Sequence, residues 1–188
     1  MSQISDAGTV DVASAVRSAR EQRGWSGSEL AAASGVSRAM IDRIERGASS
    51  PTAALLGKLA TALGLTLSGL LGRASSPGSG VVRDGARASW TDPDTGYHRR
   101  QVAAAPAFPV DVTEVHLPPG ARVTYPAATY AFCRHLIWVT EGTLTFHEGS
   151  TVHRLQAGDR LILGEPNECT YENSEDDDCS YFVVVAPA

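Results

Sequence analysis

Apolar positions recur at helical spacing along the first seventy residues and gather in short, strand-like runs along the last ninety. Val12 to Arg20 reads as an amphipathic first helix that ends near Gly24. Leu30, Val36, Ile41 and Ile44 are spaced to share one buried face across two short helices. Leu55, Leu56, Leu59, Ala60 and Leu63 form the stripe of a fourth helix stopped by Gly64, and Ser68-Gly69-Leu70-Leu71 closes a fifth. The punctuation agrees. Ser26 with Glu29 three residues on is a capping box, Trp25 before it is placed as a hydrophobic staple, and Ser37 caps the next helix. Ser34-Gly35-Val36 is a tight turn between the second and third helices. Ser50-Pro51-Thr52 resets the chain, with Pro51 expected early in the fourth helix.

The later pattern is of strands. Val110–Leu117, Leu136–Thr140, Thr143–His147, Arg160–Leu163 and Ser180–Val185 are candidates, with turns at Pro118-Pro119-Gly120, Glu141-Gly142, His147–Ser150 and Ala157-Gly158-Asp159. Short strands at this spacing predict a sandwich or small barrel, and a double-sheet jelly roll fits the length. Between the two patterns, Ser75–Gly80 reads as a flexible linker and Asp92–Gly96 as a turn. The division is therefore 8–72 helical, 73–96 linker and start of the barrel, and 97–188 all-β.

A short helix, a tight turn and a second short helix within Ser26–Gly47 make a helix-turn-helix, whose second helix enters the DNA major groove by its N-terminal end. The Ser-capped helix, Gly35-Val36-Ser37, Ile41, Ile44-Glu45-Arg46-Gly47 and Ser50-Pro51-Thr52 resemble the lambda-repressor-like, XRE-type DNA-binding domain over about sixty residues. The resemblance implies base-edge contacts at Arg38, Ala39 and Arg43, with Met40 nearby, and phosphate contacts at Ser26, Ser37 and Arg46. Arginine holds guanine bidentately through O6 and N7, and Ala39 suits a thymine methyl. Arg20 and Glu45 match a pair that forms an internal salt bridge in that family. Gly27 stands where the family often has a phosphate-gripping Gln.

In the β region, Pro118-Pro119-Gly120-Ala121, Trp138-Val139-Thr140-Glu141-Gly142 and Leu155-Gln156-Ala157-Gly158-Asp159 resemble the motif order of a cupin barrel. The resemblance implies a metal held by two His and a Glu on the first motif and a His on the second. The positions that align best here are Ala128, Tyr130, His135 and Cys169. The facial triad of an iron oxygenase is not supplied at this spacing. The expected fold is thus an all-α five-helix helix-turn-helix domain plus an all-β cupin jelly-roll barrel. The barrel interior is the candidate small-molecule pocket, lined by Tyr130, Cys133, His135, Ile137 and Cys169. No catalytic residue, cofactor or metal is expected; were a metal bound, Cys133, His135 and Cys169 would be its Cys₂His cluster. His98, His116, His147 and His153 read as loop or surface residues without a site.

Charge and composition narrow the partners. Residues 1–72 carry seven basic and six acidic side chains, and residues 73–188 carry nine and fifteen, for a net charge of −5. A head of net +1 binds DNA weakly through phosphates alone, which points to a homodimer reading two half-sites. The run Glu175–Asp178 reads as a solvated loop. Three cysteines, no apolar stretch of spanning length and a polar N-terminus predict a cytoplasmic protein with no membrane partner. Fifteen Arg to one Lys hints at a GC-rich bacterial genome. The function these features predict is a DNA-binding transcriptional regulator, with an operator and an unidentified small-molecule effector as partners. Two alternatives are a non-haem iron oxygenase of the phosphonate epoxidase type, which lacks its ligands here, and a thiol redox switch through Cys133 and Cys169.

Overall fold

A computed structural model describes residues 10–71, 81, 88–103 and 110–187. The expected linker at 75–80 lies outside them. Five helices come first: α1 (Val12–Gln22), α2 (Gly27–Ser34), α3 (Arg38–Glu45), α4 (Ala53–Ala62) and α5 (Leu67–Leu71). Each start is written in the local sequence. The side chains of Asp11, Ser26, Ser37 and Thr52 accept hydrogen bonds from backbone N–H groups of the first turns of α1 to α4. These bonds satisfy amides that have no partner inside the helix. Pro51 stands before the Thr52 cap, not inside α4 as expected, because Thr52 supplies a side-chain acceptor that proline lacks. Val16, Leu30, Ile41, Ile44, Leu56, Leu59 and Leu70 fill the shared core of the bundle.

Ten strands follow: β1 (Ser89–Thr91), β2 (His98–Ala103), β3 (Asp111–Leu117), β4 (Arg122–Tyr125), β5 (Cys133–Glu141), β6 (Thr143–Glu148), β7 (Thr151–Gln156), β8 (Arg160–Ile162), β9 (Cys169–Glu172) and β10 (Cys179–Pro187). One sheet runs β1-β2-β3-β10-β5-β8 and the other β4-β9-β6-β7. The eight strands β3 to β10, split four and four in this order, are a double-sheet jelly roll. Strands β1 and β2 extend its first sheet by an antiparallel ladder on β3. No ladder among the described residues joins the two sheets, so the expected barrel is an open sandwich. Side chains close it instead. Cys179, Tyr181, Val183 and Val185 alternate inward along β10 and meet Leu144, Phe146 and Tyr171 of the facing sheet.

The head is seated directly on the sandwich, and buried residues of both parts form one continuous cluster. The amide of Ala53 donates to the buried Asp92 carboxylate at 2.6 Å, and Val10 donates to the Ser89 carbonyl at 3.0 Å. Thr66 pairs with Asp111 at 2.9 Å and Ser68 with Thr113 at 2.7 Å. Gly57 of α4 lies so close to Tyr125 that a Cβ there would stand 2.8 Å from the ring. Helices α4 and α5 are thereby committed to docking, and α3 is left facing away from these contacts.

Candidate DNA-binding face and jelly-roll interior

Helices α2 and α3 are set against α1 by polar contacts as well as apolar packing. Glu29 N–H donates to Ser26 Oγ at 3.2 Å and Ser26 N–H donates to Glu29 Oε2 at 2.6 Å, so the capping box is complete. Gly35 ends α2 at φ 68°, a conformation that costs a residue with a Cβ, and Ser37 Oγ then accepts from Met40 N–H at 3.3 Å to start α3. Arg20 grips Glu45 with two bonds, 2.7 and 2.9 Å, and also donates to the Trp25 carbonyl at 2.7 Å. Arg17 donates to the Glu45 carbonyl as well. The end of α3 is therefore fixed to α1.

With Ile41, Ile44 and Glu45 turned inward, the outer side of this unit carries Ser26, Ser37, Arg38, Ala39, Arg43 and Arg46, all exposed, beside a half-buried Met40. Arg38 reaches Asp42 one turn along at 3.0 Å, and Arg46 Nε donates to the Asp42 carbonyl at 3.1 Å. The Arg38 guanidinium also occupies the space that a side chain at position 27 would need: a Cβ on Gly27 would stand 1.2 Å from Arg38 Nη1. Gly27 thus gives up a side chain of its own and makes room for the arginine of the neighbouring helix.

The sandwich interior disperses the residues expected to line it. Tyr130 and His135 meet edge to face with ring centroids 4.8 Å apart, and both border an interior cavity of about 30 Å³ with Tyr97, Arg99, Tyr125 and Tyr171. Cys133 lies half-buried with Sγ 3.7 Å from His135 Nδ1, but it opens outward onto a larger space of about 200 Å³. That space lies between head and sandwich, and Thr61, Leu65, Thr66, Asp111, Thr129 and Phe132 line it. Ile137 and Cys169 border neither space, and Cys169 Sγ instead points to the Asn167 carbonyl at 3.4 Å. The cluster of Cys133, His135 and Cys169 is not assembled. Among the described residues no three His, Cys, Asp or Glu side chains stand together as metal ligands. Cys169 is on the opposite sheet from the other two, which share one face of β5.

Burial sets the protonation of this region. His135 is pushed down to about 4, first by desolvation and then by the nearby charge of Arg99. Desolvation raises the Cys133 thiol and takes Cys169 up to about 11, so neither is a thiolate near neutral pH. The other histidines stand on strands, half-buried. His147 meets Glu172 at 2.8 Å and His153 meets Glu148 at 3.1 Å, while His98 faces Thr91 and His116 faces Ser180. Glu175 to Asp178 form a bend between β9 and β10, exposed from Asp176 to Asp178, with Glu175 bridged to Arg154 at 2.8 Å.

The residue that sequence reasoning missed is Arg99. Its signal was present but weak: Tyr97 and Arg99 are two apart and so share a face of an extended chain. Two successive arginines in a polar strand read as solvated charges, and only the sheet register turns Arg99 inward and Arg100 outward, where it pairs with Glu114 at 2.7 Å.

The helix-turn-helix family HTH_3 matches residues 16–70. The HTH-type transcriptional regulator SutR of Escherichia coli strain K12 is 59% identical over 49 residues, which is 26% of this chain and 28% of that protein. The chain thus matches little more than a quarter of that curated relative. A crystal structure of an HTH_3 family transcriptional regulator from Vibrio cholerae superposes with a TM-score of 0.75 at 23% identity, over 94% of this chain and 95% of the other. That likeness covers head and sandwich together and establishes the shared fold. A cupin_2 domain of an XRE family transcriptional regulator from Enterobacter cloacae gives 0.43 at 15% identity, over 47% of this chain and 93% of that one. Family match and capped helical geometry agree over residues 16–70, which form an HTH_3-type helix-turn-helix domain, here joined to a double-sheet jelly roll.

Proposed function

We propose that the protein is a sequence-specific transcriptional regulator of the cytoplasm. It binds operator DNA as a homodimer, and its jelly roll senses a small molecule. One observation carries the reading. The docking of the head uses α4 and α5, while Arg38, Ala39 and Arg43 on α3 remain exposed on a rigidly capped helix. Such a face can enter a major groove without disturbing the rest of the molecule. Arg38 and Arg43 are the base-reading side chains and Ala39 the apolar contact. Ser26, Ser37 and Arg46 hold phosphates, and Met40 packs between. The names of the Escherichia coli and Vibrio cholerae proteins point the same way.

Arg38 comes pre-positioned by Asp42 and by the opening at Gly27, so its placement loses little rotamer freedom on binding. The contacts between head and sandwich tie the seat of the head, at α4 and α5, to the residues that enclose the interior. The oxygenase reading has no support in the dispersed Cys133, His135 and Cys169, and the thiol-switch reading has none in thiols that burial keeps protonated.

The test is a mobility-shift titration on DNA upstream of the protein's own gene, at physiological salt. Arg38→Ala and Arg43→Ala each lose affinity by about 1–3 kcal/mol at one operator position and relax the base preference there. Arg46→Ala weakens all sequences alike and lowers the salt dependence. Unchanged binding in both Arg38→Ala and Arg43→Ala would overturn the assignment.

A further inference from the structure

Arg99 presents a problem of charge. It stands on β2 with 8% of its surface exposed. Nη1 donates to Tyr97 Oη at 2.9 Å, and Nη2 donates to Ser68 Oγ at 2.6 Å and Thr113 Oγ1 at 3.3 Å. All three acceptors are neutral. Among the described residues no carboxylate pairs with the guanidinium, and at least two of its five N–H groups find no acceptor. Desolvation works against its proton, but Tyr97 and the neighbouring tyrosines outweigh that and hold it more firmly than usual, so the charge persists in the interior. An unpaired buried cation is strongly unfavourable unless an anion or a dense set of dipoles answers it.

The same cavity holds donors in search of an acceptor. Tyr125 and Tyr130 border it, and their hydroxyls are buried without a hydrogen-bond partner of ordinary geometry. Tyr181, beneath them, is in the same condition and stacks on Tyr171 with ring centroids 5.6 Å apart. His135, neutral at physiological pH, faces the space as well. Tyr125 lies near the Tyr97 hydroxyl and Tyr130 near Tyr171 and Cys169, but none of these contacts is a well-formed hydrogen bond. A buried cation ringed by such under-used O–H groups is the chemistry of an oxyanion site. The cavity of about 30 Å³ accommodates one small polar group. Thr66, Thr129 and Val185 form a wall common to this cavity and to the roughly 200 Å³ apolar space beneath the head.

We propose that the jelly roll binds a small organic carboxylate, its oxyanion against Arg99, Tyr125 and Tyr130 and its apolar body in the adjoining space beneath the end of α4 and the turn that follows it. This inference rests on the regulator reading for its biological sense, but its chemistry is independent of DNA. Ser68, a direct partner of Arg99, belongs to α5 of the head. A ligand that draws the guanidinium away from Ser68 therefore acts on the seat of the DNA-binding unit.

Hexanoate and its neutral counterpart hexanamide distinguish the idea, by calorimetry and thermal unfolding of the full chain without DNA. Hexanoate binds and raises the melting temperature, and hexanamide does neither. Arg99→Met abolishes hexanoate binding while the ligand-free variant melts no lower than the parent, because an unpaired buried charge has been replaced by an apolar chain of similar length. Should Arg99→Met fail to fold, Tyr125→Phe with Tyr130→Phe keeps the shape of the cavity and still weakens hexanoate by about tenfold or more, the size expected for lost hydrogen bonds to a charged group. Equal responses to hexanoate and hexanamide, or hexanoate binding unaffected by the tyrosine pair and by Arg99→Met, would overturn the proposal. Operator binding is scored separately by mobility shift. Loss of the carboxylate effect with intact DNA binding removes this site alone, and loss of DNA binding with an intact carboxylate effect removes the regulator reading alone.

Discussion

The helical head and the jelly roll treat polar groups in opposite ways. In the head, charged and hydroxyl side chains are either on the surface or matched at short range: Ser26 with Glu29, Ser37 with the Met40 amide, Arg20 with Glu45. In the sandwich, a guanidinium, an imidazole and three tyrosine hydroxyls are buried with partners that are neutral or lacking. A satisfied polar group holds a structure together, whereas an unsatisfied one destabilises the interior unless a ligand completes it. The contrast assigns rigidity to the helix-turn-helix unit and chemical potential for binding to the part beneath it.

The largest effect that would break this comparison is at the buried Arg20–Glu45 ion pair of the head. Glu45→Ala leaves Arg20 charged and half-enclosed, and a loss of about 3 kcal/mol is expected in urea unfolding, the range for removing one partner of a buried pair. A loss below 1 kcal/mol would mean that the pair is a surface contact and that α3 is held by packing alone.

The interior of the sandwich makes a pH prediction of similar size. His135 is neutral in the folded protein down to about pH 4, while in the unfolded chain it takes a proton near its ordinary value of about 6.5. The unfolded state therefore binds more protons between these two values. The stability associated with a neutral His135 is fully present above about pH 6.5 and is lost as pH falls toward 4, at up to about 1.4 kcal/mol per pH unit. The expected difference between pH 7 and pH 4.5 is about 2–3 kcal/mol from this residue. Unfolding curves of the parent and His135→Gln at both pH values isolate it from the carboxylates, and parallel pH dependence in the two proteins would show that His135 is not desolvated as described.

A smaller effect sharpens the picture of the head. Ser26→Ala removes the acceptor of the Glu29 amide and should destabilise by about 1 kcal/mol, with a fall in operator affinity through a frayed α2. If stability falls and affinity does not, Ser26 is a cap without a phosphate role.

The head was legible from sequence because its determinants are local. Helical periodicity, caps at Ser26 and Ser37, and a left-handed glycine at position 35 act within four residues of where they are read. Local chemistry also placed Arg38, Ala39 and Arg43 on the outer side of α3. In the sandwich the reading found β3, β5, β6, β8 and β10, whose apolar runs are strong, and passed over β1, β2, β4, β7 and β9. Strand β7 shows why: it buries only Leu155 and carries polar residues on both sides, so its strand character comes from pairing with β6. The expected lining residues met a similar limit. A period of two assigns residues to a face, but it does not say which faces enclose a space, and so Ile137 and Cys169 are packed core while Arg99 borders the cavity.

What the sequence determined alone was the helix-turn-helix unit, its caps and its exposed arginines, since those follow from contacts between near neighbours. Only the tertiary structure decided that the head is docked through α4 and α5, that Gly27 yields its space to Arg38, and that Arg99 meets Ser68, Tyr97 and Thr113 without a countercharge among the described residues. Those outcomes depend on strand register and on elements separated by tens of residues, where no short-range rule of spacing operates.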